Sequence, residues 1–213
     1  MTEPLLTARE LCKDHGQGAA KVRAVDGIDL EIARGESVAI VGPSGCGKSS
    51  LLYLLGGLER PTSGSIQLGG HQLNRMSEGA LARLRRTTIG FVFQAFELVD
   101  ELSAAENVEL PALLAGASPK AARRRAMELL EQVGLEQRAG HLPSELSGGQ
   151  RQRAAVARAV ANEPTIVLAD EPTGNLDSAA TADVLRLFDE LKGGDLTLVT
   201  VTHDSRIAAT ANR

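Results

Sequence analysis

Eight consecutive residues, Gly42-Pro43-Ser44-Gly45-Cys46-Gly47-Lys48-Ser49, constrain this chain more than any other stretch. They fit G-x-x-x-x-G-K-[ST], a loop that wraps phosphate groups. Ser37 to Val41 before the loop reads as a short buried strand, and Ser50 to Leu55 after it as a helix. That strand–loop–helix setting is what the motif needs. The glycines let the backbone curl so that its N–H groups point inward at phosphate oxygens. The helix N-terminus adds the positive end of its dipole. In such a loop Lys48 reaches the β- and γ-phosphates and the Ser49 hydroxyl ligates Mg²⁺. The stretch from Gly42 through Ser50 is therefore the expected cradle of a nucleoside triphosphate.

The rest of the chain alternates strands with helices. Leu5 to Leu11 and Val22 to Ile32 read as β segments, joined by a polar loop from Lys13 to Gly18. In the second, Ile28, Leu30 and Ile32 alternate with Asp29 and Glu31, a pattern with one buried and one wet face. Ser65 to Gly70 and Ile89 to Phe93 are further strands, and Ser77 caps a basic helix that runs to Arg86. From Ala95 to Glu163 the pattern turns helical. Ser103 and Glu106 form a capping box there, and Ser118-Pro119 opens a helix that Gly134 stops. Thr165 to Asp170 and Leu196 to Thr202 are apolar strands flanking a helix from Ser178 to Lys192. The expected fold is an α/β P-loop core with a mostly parallel sheet, an antiparallel β subdomain and an inserted helical subdomain. Residues 1–94 and 164–213 would form the core and 95–163 the insert.

Bulk properties exclude some classes. The net charge is −4 and aromatic residues are 2% with no Trp, so neither a basic field nor a stacking platform for nucleic acid is expected. No apolar run reaches the roughly 18–20 residues of a membrane span. Cys12 and Cys46 are isolated from each other, which suits a reducing compartment.

Two further segments carry chemistry. The strand Ile166 to Ala169 ends in Asp170-Glu171. An acid there can hold Mg²⁺ through water, the role expected of Asp170. Glu171 would face the opposite way if the strand continued, and is placed to polarise an attacking water. Leu146-Ser147-Gly148-Gly149-Gln150 opens a helix running from Arg151 to Asn162, with Ser147 as cap and two glycines exposing backbone N–H groups. Two anion-ready helix ends so far apart either serve one nucleotide within the chain or complete a site with a second copy.

At this point the chain resembles the ATP-binding subunit of an ABC transporter along nearly its whole length. The matching pieces are the loop from Gly42 to Ser49, Gln94 after Phe91-Val92-Phe93, Leu146 to Gln150, Asp170-Glu171-Pro172, Asn175-Leu176-Asp177, and His203 after Thr200-Val201-Thr202. The resemblance implies ATP and Mg²⁺ as ligands, with Gln94 contacting the metal or water. It implies that Ser147, Gly148, Gly149 and Gln150 close over ATP held by an opposite subunit, that Asp177 touches that second site, and that His203 senses the γ-phosphate. A homodimer in the ATP-bound state follows. So do an integral-membrane permease partner and a peripheral place on the cytoplasmic face of the membrane. The stretches Gly56 to Gly64, Glu106 to Pro111 and Pro172 to Asp177 resemble the branch of macrolide-exporter, lipoprotein-releasing and cell-division ATPases. Such a subunit drives transport or mechanical transmission; an ATP-gated regulatory module and a soluble ABC protein are the rival readings. The family usually places Tyr where His15 stands, to stack on adenine. The single Tyr of this chain, Tyr53, lies in the helix after the loop, where it is ill-placed for that task.

Overall fold

The computed structural model describes residues 3–16, 20–191 and 196–213. Two four-stranded sheets form the framework. In the first, β1 (Leu6–His15) pairs antiparallel with β2 (Val22–Ile32) and with β4 (Ser63–Leu68), which pairs in turn with β5 (His71–Gln72). In the second, β3 (Ser37–Val41), β8 (Thr197–Thr202), β7 (Ile166–Asp170) and β6 (Ile89–Val92) lie parallel in that spatial order. Parallel neighbours need long crossovers. Helices supply them: α1 (Lys48–Leu55), α2 (Glu78–Thr88), α3 (Ala104–Leu114), α4 (Pro119–Gln132), α5 (Gly148–Ala159) and α6 (Ser178–Leu191), with α7 (Ser205–Ala209) near the end.

The parallel register matters most for function. Val41 sits opposite Thr202, Asp170 opposite Val201, and Ala169 opposite Val92. All four strands therefore end at one edge of the sheet, where open α/β folds bind their ligands. β7 and β8 are buried along their entire lengths, as a sheet covered on both faces requires. Two threonines of β8 have partners: Thr197 Oγ1 accepts from the Gly35 N–H and Thr202 Oγ1 from the Asp204 N–H, each at 2.9 Å.

Two hydrophobic clusters hold the layers. One joins Leu6, Leu11, Ile32 and Ile66 of the antiparallel sheet to Leu52 and Leu55 of α1 and to Leu168 and Val201 of the parallel sheet. The other joins α3, α4 and α5 to Val92, Val167 and Ala169, and to Val184 and Phe188 of α6. The face of Ala122, Ala126, Leu129 and Leu130 on α4 is buried as its spacing demands, and Gly134 ends the segment at φ +65°. Ser77, Ser103, Ser118, Ser147 and Asp204 each cap a helix with the side chain, contributing about 1 kcal/mol apiece.

Four local expectations change. Lys13, Asp14 and His15 belong to β1 instead of a loop, because β1 slides past β2 by register shifts after Ala8, Leu11 and Lys13 and keeps pairing until His15 meets Val22. Ile28 is 37% exposed, and the buried residues of β2 are Val25 and Ile32 instead of the alternating Ile28, Leu30 and Ile32. The helix expected from Arg151 begins at Gly148 and ends at Ala159. β7 stops at Asp170, and Glu171 turns out of it with φ +45°, so its direction is set by a turn and not by strand alternation. Lys192, the expected end of α6, and Gln17 and Gly18 of the expected loop lie outside the described residues.

Candidate active site

Most site residues end a parallel strand, follow its end by one or two positions, or open the helix beyond it, and the ends of β1 and β2 add His15, Val22 and Ala24. After Val41 the chain curls through Gly45 at φ +79° and Gly47 at φ +91°. A Cβ on Gly47 would lie 1.9 Å from the Ala24 carbonyl oxygen, so no other residue fits there. Gly47 is the N-cap of α1, and no side chain caps this end and no acid stands in its first turn. Its N–H groups are thus turned to an anion and not to the protein. Lys48 Nζ donates to the carbonyls of Gly42 at 2.9 Å and Pro43 at 2.8 Å, which holds the ammonium beside the loop. Pro43, Ser44 and Cys46 are exposed along the same curl.

The Ser49 hydroxyl donates to Asp170 Oδ1 at 2.8 Å, and the Tyr53 hydroxyl donates to Asp170 Oδ2 at 2.9 Å. Asp170 is buried, so these bonds compensate its lost hydration. Burial, and then the bond to Asp170, pushes the Tyr53 phenol up to about 12. Ser49 Oγ and Asp170 Oδ1 form a pair of hard oxygens. That donor set suits Mg²⁺, which takes one or two protein oxygens and fills its shell with water and phosphate.

Glu171 Oε2 lies 2.9 Å from His203 Nδ1 and also accepts from the His203 backbone N–H at 3.4 Å. The Glu171 side chain is mostly buried and the His203 ring mostly exposed, so the carboxylate is anchored from behind while its partner faces the cleft. Gln94 reaches in from the end of β6. Asn175 Nδ2 donates to the Gln94 carbonyl at 2.9 Å, and a Cβ on Gly174 would lie 2.8 Å from Gln94 Nε2. Asn175 and Gly174 thus let the loop after β7 pack directly on Gln94.

These groups surround one cleft of about 710 Å³, within the size range of small-molecule sites. Ser44, Gly45, Gly47, Lys48, Ser49 and Ser50 form its floor, and Gln94, Glu171 and His203 its far wall. His15, Val22 and Ala24 form the near wall, with His15 Nε2 3.3 Å from Ser50 Oγ. The end of β1 thereby brings His15 to the cleft beside Ser50. Tyr53 points the other way, to the underside of the cleft.

Ser147, Gly148, Gly149 and Gln150 do not line this cleft. They open α5 next to the start of α6, where a Cβ on Gly149 would lie 2.7 Å from Ala180 Cβ. The end carries its own capping box: Ser147 Oγ accepts from the Gln150 N–H at 3.3 Å, and Gln150 Oε1 accepts from the Ser147 N–H at 2.9 Å. The cap uses Gln150 Oε1 and the lone pairs of Ser147 Oγ, so the donors left for an anion include the N–H groups of the two glycines, the Gln150 side-chain amide and the Ser147 hydroxyl. Asp177 acts similarly, accepting from the Ala180 N–H at 2.9 Å at the start of α6.

A second cavity, about 420 Å³, lies on the other side of β6. Leu58, Phe91, Phe93, Leu110 and Leu114 make it largely apolar, with Arg86 and Arg158 at its border. Arg158, whose guanidinium burial holds below its ordinary value, donates to the carbonyls of Phe96, at 2.9 Å, and Glu97. Both are left-handed non-glycine residues, with φ +65° and +51°. Arg151 lies over the Phe96 ring at 4.9 Å. Sequence reading named Tyr53 and Asn175 but missed their bonds to Asp170 and Gln94, and missed the arginine clamp, since each works through a partner distant along the chain.

A family model described as ABC transporter matches residues 25–174. A lipoprotein-releasing system ATP-binding protein of Xylella fastidiosa is 50% identical over 214 residues, covering 100% of this chain and 89% of that protein. A macrolide export ATP-binding/permease protein of Hyphomonas neptunium is 47% identical over 213 residues. This chain spans 33% of that longer relative's length. Among solved structures, an ATP-binding cassette crystallised as a dimer in a post-hydrolysis state with ADP and Pi superposes with a TM-score of 0.91 at 40% identity. The match covers 97% of this chain and 91% of that one.

Proposed function

The chain belongs to the ABC transporter family as an ATP-binding, ATP-hydrolysing subunit, and from that premise we propose that two copies close around two ATP molecules to move a membrane permease. The observation that carries this reading is the division of anion-ready helix ends. The α1 end faces the cleft of its own chain, and the α5 end lies outside it. A head-to-tail pair with two-fold symmetry places each α5 end over the other copy's cleft. ATP brings several negative charges to that seam. Lys48, the α1 N–H groups and the partner copy's α5 end neutralise them together. Closure is favoured only with ATP bound, since ATP binds the closed pair better than the open one.

In this reading Ser49, Asp170 and Gln94 would hold Mg²⁺, which would supply positive charge to offset that of the phosphates. Glu171 takes a proton from the attacking water as the water oxygen bonds to the γ-phosphorus and the bond from that phosphorus to the bridging oxygen breaks, so that ADP leaves with the electron pair. His203, fixed by Glu171, faces the γ-phosphate side of the cleft, and Asp177 lies at the seam. His15 packs on the base. His15→Ala is expected to weaken ATP binding about tenfold and His15→Tyr to tighten it, because an aromatic face against a base contributes roughly 1–3 kcal/mol. Fluorescent-nucleotide titration of both variants checks this.

The permease would dock in the apolar cavity beyond β6, whose lining includes exposed Leu58 and Leu114. The names of the two relatives, a lipoprotein-releasing system ATP-binding protein and a macrolide export ATP-binding/permease protein, support a membrane partner. No helix among the described residues is long and apolar enough to cross a membrane, so attachment through the permease, on the cytoplasmic face, is the placement proposed. The test is recruitment to vesicles carrying a candidate permease. Wild type should bind them. Leu114→Glu should lose binding by at least about tenfold while ATP affinity holds, since a charge in an apolar contact goes unpaired. Equal binding to bare vesicles would overturn the docking assignment.

A further inference from the structure

We propose that Tyr53 is a positioning residue for the divalent cation: its hydroxyl locks the Asp170 carboxylate so that Oδ1 is presented to Ser49 and to Mg²⁺. The proposal rests on the reading of this cleft as an ATP–Mg²⁺ site.

Ser49 and Tyr53 stand four residues apart on α1, one turn above the other on the same face. The short side chain and the long one converge on the two oxygens of a single acid, Ser49 on Oδ1 and Tyr53 on Oδ2. A carboxylate held at one oxygen still turns about its last bond, where the torsion is soft. Held at both, it has one orientation. Ser49 donates its only hydrogen to Oδ1, which leaves its lone pairs for a cation. Tyr53 in turn is held by its ring, which tilts against Phe93 with centroids 6.3 Å apart, and Phe93 stacks on Phe91 at 5.6 Å. The phenol is therefore braced and not free to follow a wandering carboxylate. Groups that orient metal-binding carboxylates in this way typically contribute 10–100-fold in metal affinity. A phenol that only satisfied a buried acid would stabilise the fold and leave cation binding alone.

Tyr53→Phe in the full chain separates these roles, because the ring and its packing stay while the donor is removed. ATP binding is read first in EDTA and then against added Mg²⁺, by fluorescent-nucleotide titration. Mn²⁺ binding to the ATP-loaded protein is read in parallel by electron paramagnetic resonance. The expected result is an EDTA affinity within about twofold of wild type, with the half-saturating Mg²⁺ and Mn²⁺ concentrations raised roughly tenfold. In an Asp170→Asn background the same replacement should add nothing, since the group it orients is gone. Tyr53→Gln, whose amide can donate, should recover part of the loss. Unchanged cation midpoints overturn the proposal, as does an equal loss in EDTA or a full further loss on top of Asp170→Asn. A wild-type protein that binds ATP with no Mg²⁺ dependence overturns the metal site itself, whereas a normal wild type with a flat Tyr53→Phe overturns only the role of Tyr53.

Discussion

Glu171→Gln should bind ATP with near wild-type affinity and hydrolyse it roughly 10²–10⁴-fold more slowly, the usual loss when a general base is removed. The replacement is close to isosteric. It keeps an acceptor oxygen for the His203 backbone N–H, so the turn after β7 is retained. What goes is the charge that draws a proton from water. The phosphate cradle of Lys48, Ser49 and the α1 N-terminus forms the floor of the cleft and makes no bond to Glu171. Binding without turnover should then accumulate the closed pair. Size-exclusion chromatography with light scattering is expected to show a dimer for the variant with ATP and Mg²⁺, and a monomer without nucleotide. A variant that stays monomeric at saturating ATP would remove the two-copy mechanism for this chain.

Mixing two inactive variants gives the second large effect. Lys48→Ala removes a charged donor to phosphate, which costs about 1.5–3 kcal/mol of binding and positioning. Gly148→Asp puts a carboxylate on the α5 end, where it repels the phosphate it should receive. Each variant alone should lose nearly all turnover. Together they form mixed pairs in which one site has a sound Lys48 loop from one copy and a sound α5 end from the other. Activity should return to roughly a quarter of wild type at equal concentrations, because half of random pairs are mixed and each has one good site. No recovery, with both variants folded by circular dichroism, would mean that the two helix ends do not share a nucleotide. Gly148→Asp is tolerable for the fold because a Cβ at that position meets only atoms at 3.6 Å or beyond.

The gathering of the proposed site residues at one cleft was legible because most sit beside strand ends, with Lys48 opening the helix beyond one. Lys48, Glu171, His203 and Gln94 each follow a short apolar run, and parallel register brings such runs to one edge without side-chain detail. The helix caps were legible for a similar reason, since a capping box is local chemistry. His15 was harder. Its place on β1 depends on register shifts that no alternation pattern predicts. The bond from Tyr53 to Asp170 spans 117 positions, and that from Asn175 to Gln94 spans 81. Such pairs are chosen by packing, and the residue types alone do not announce them. The strained turn at Phe96 and Glu97 was invisible too, since neither residue is one that favours a left-handed backbone.

That turn has a mechanical consequence. Arg151 and Arg158 rise from one face of α5 and fasten it by a ring contact and by two carbonyls. The opening of that same helix is where Ser147 stands. A tug at the first residues of α5 is therefore delivered rigidly, some ten residues down the rod, to the stretch just past Gln94 and to the border of the apolar cavity. Ala95 alone separates the clamped Phe96 from Gln94, so a shift of α5 reaches the wall of the cleft through a single residue.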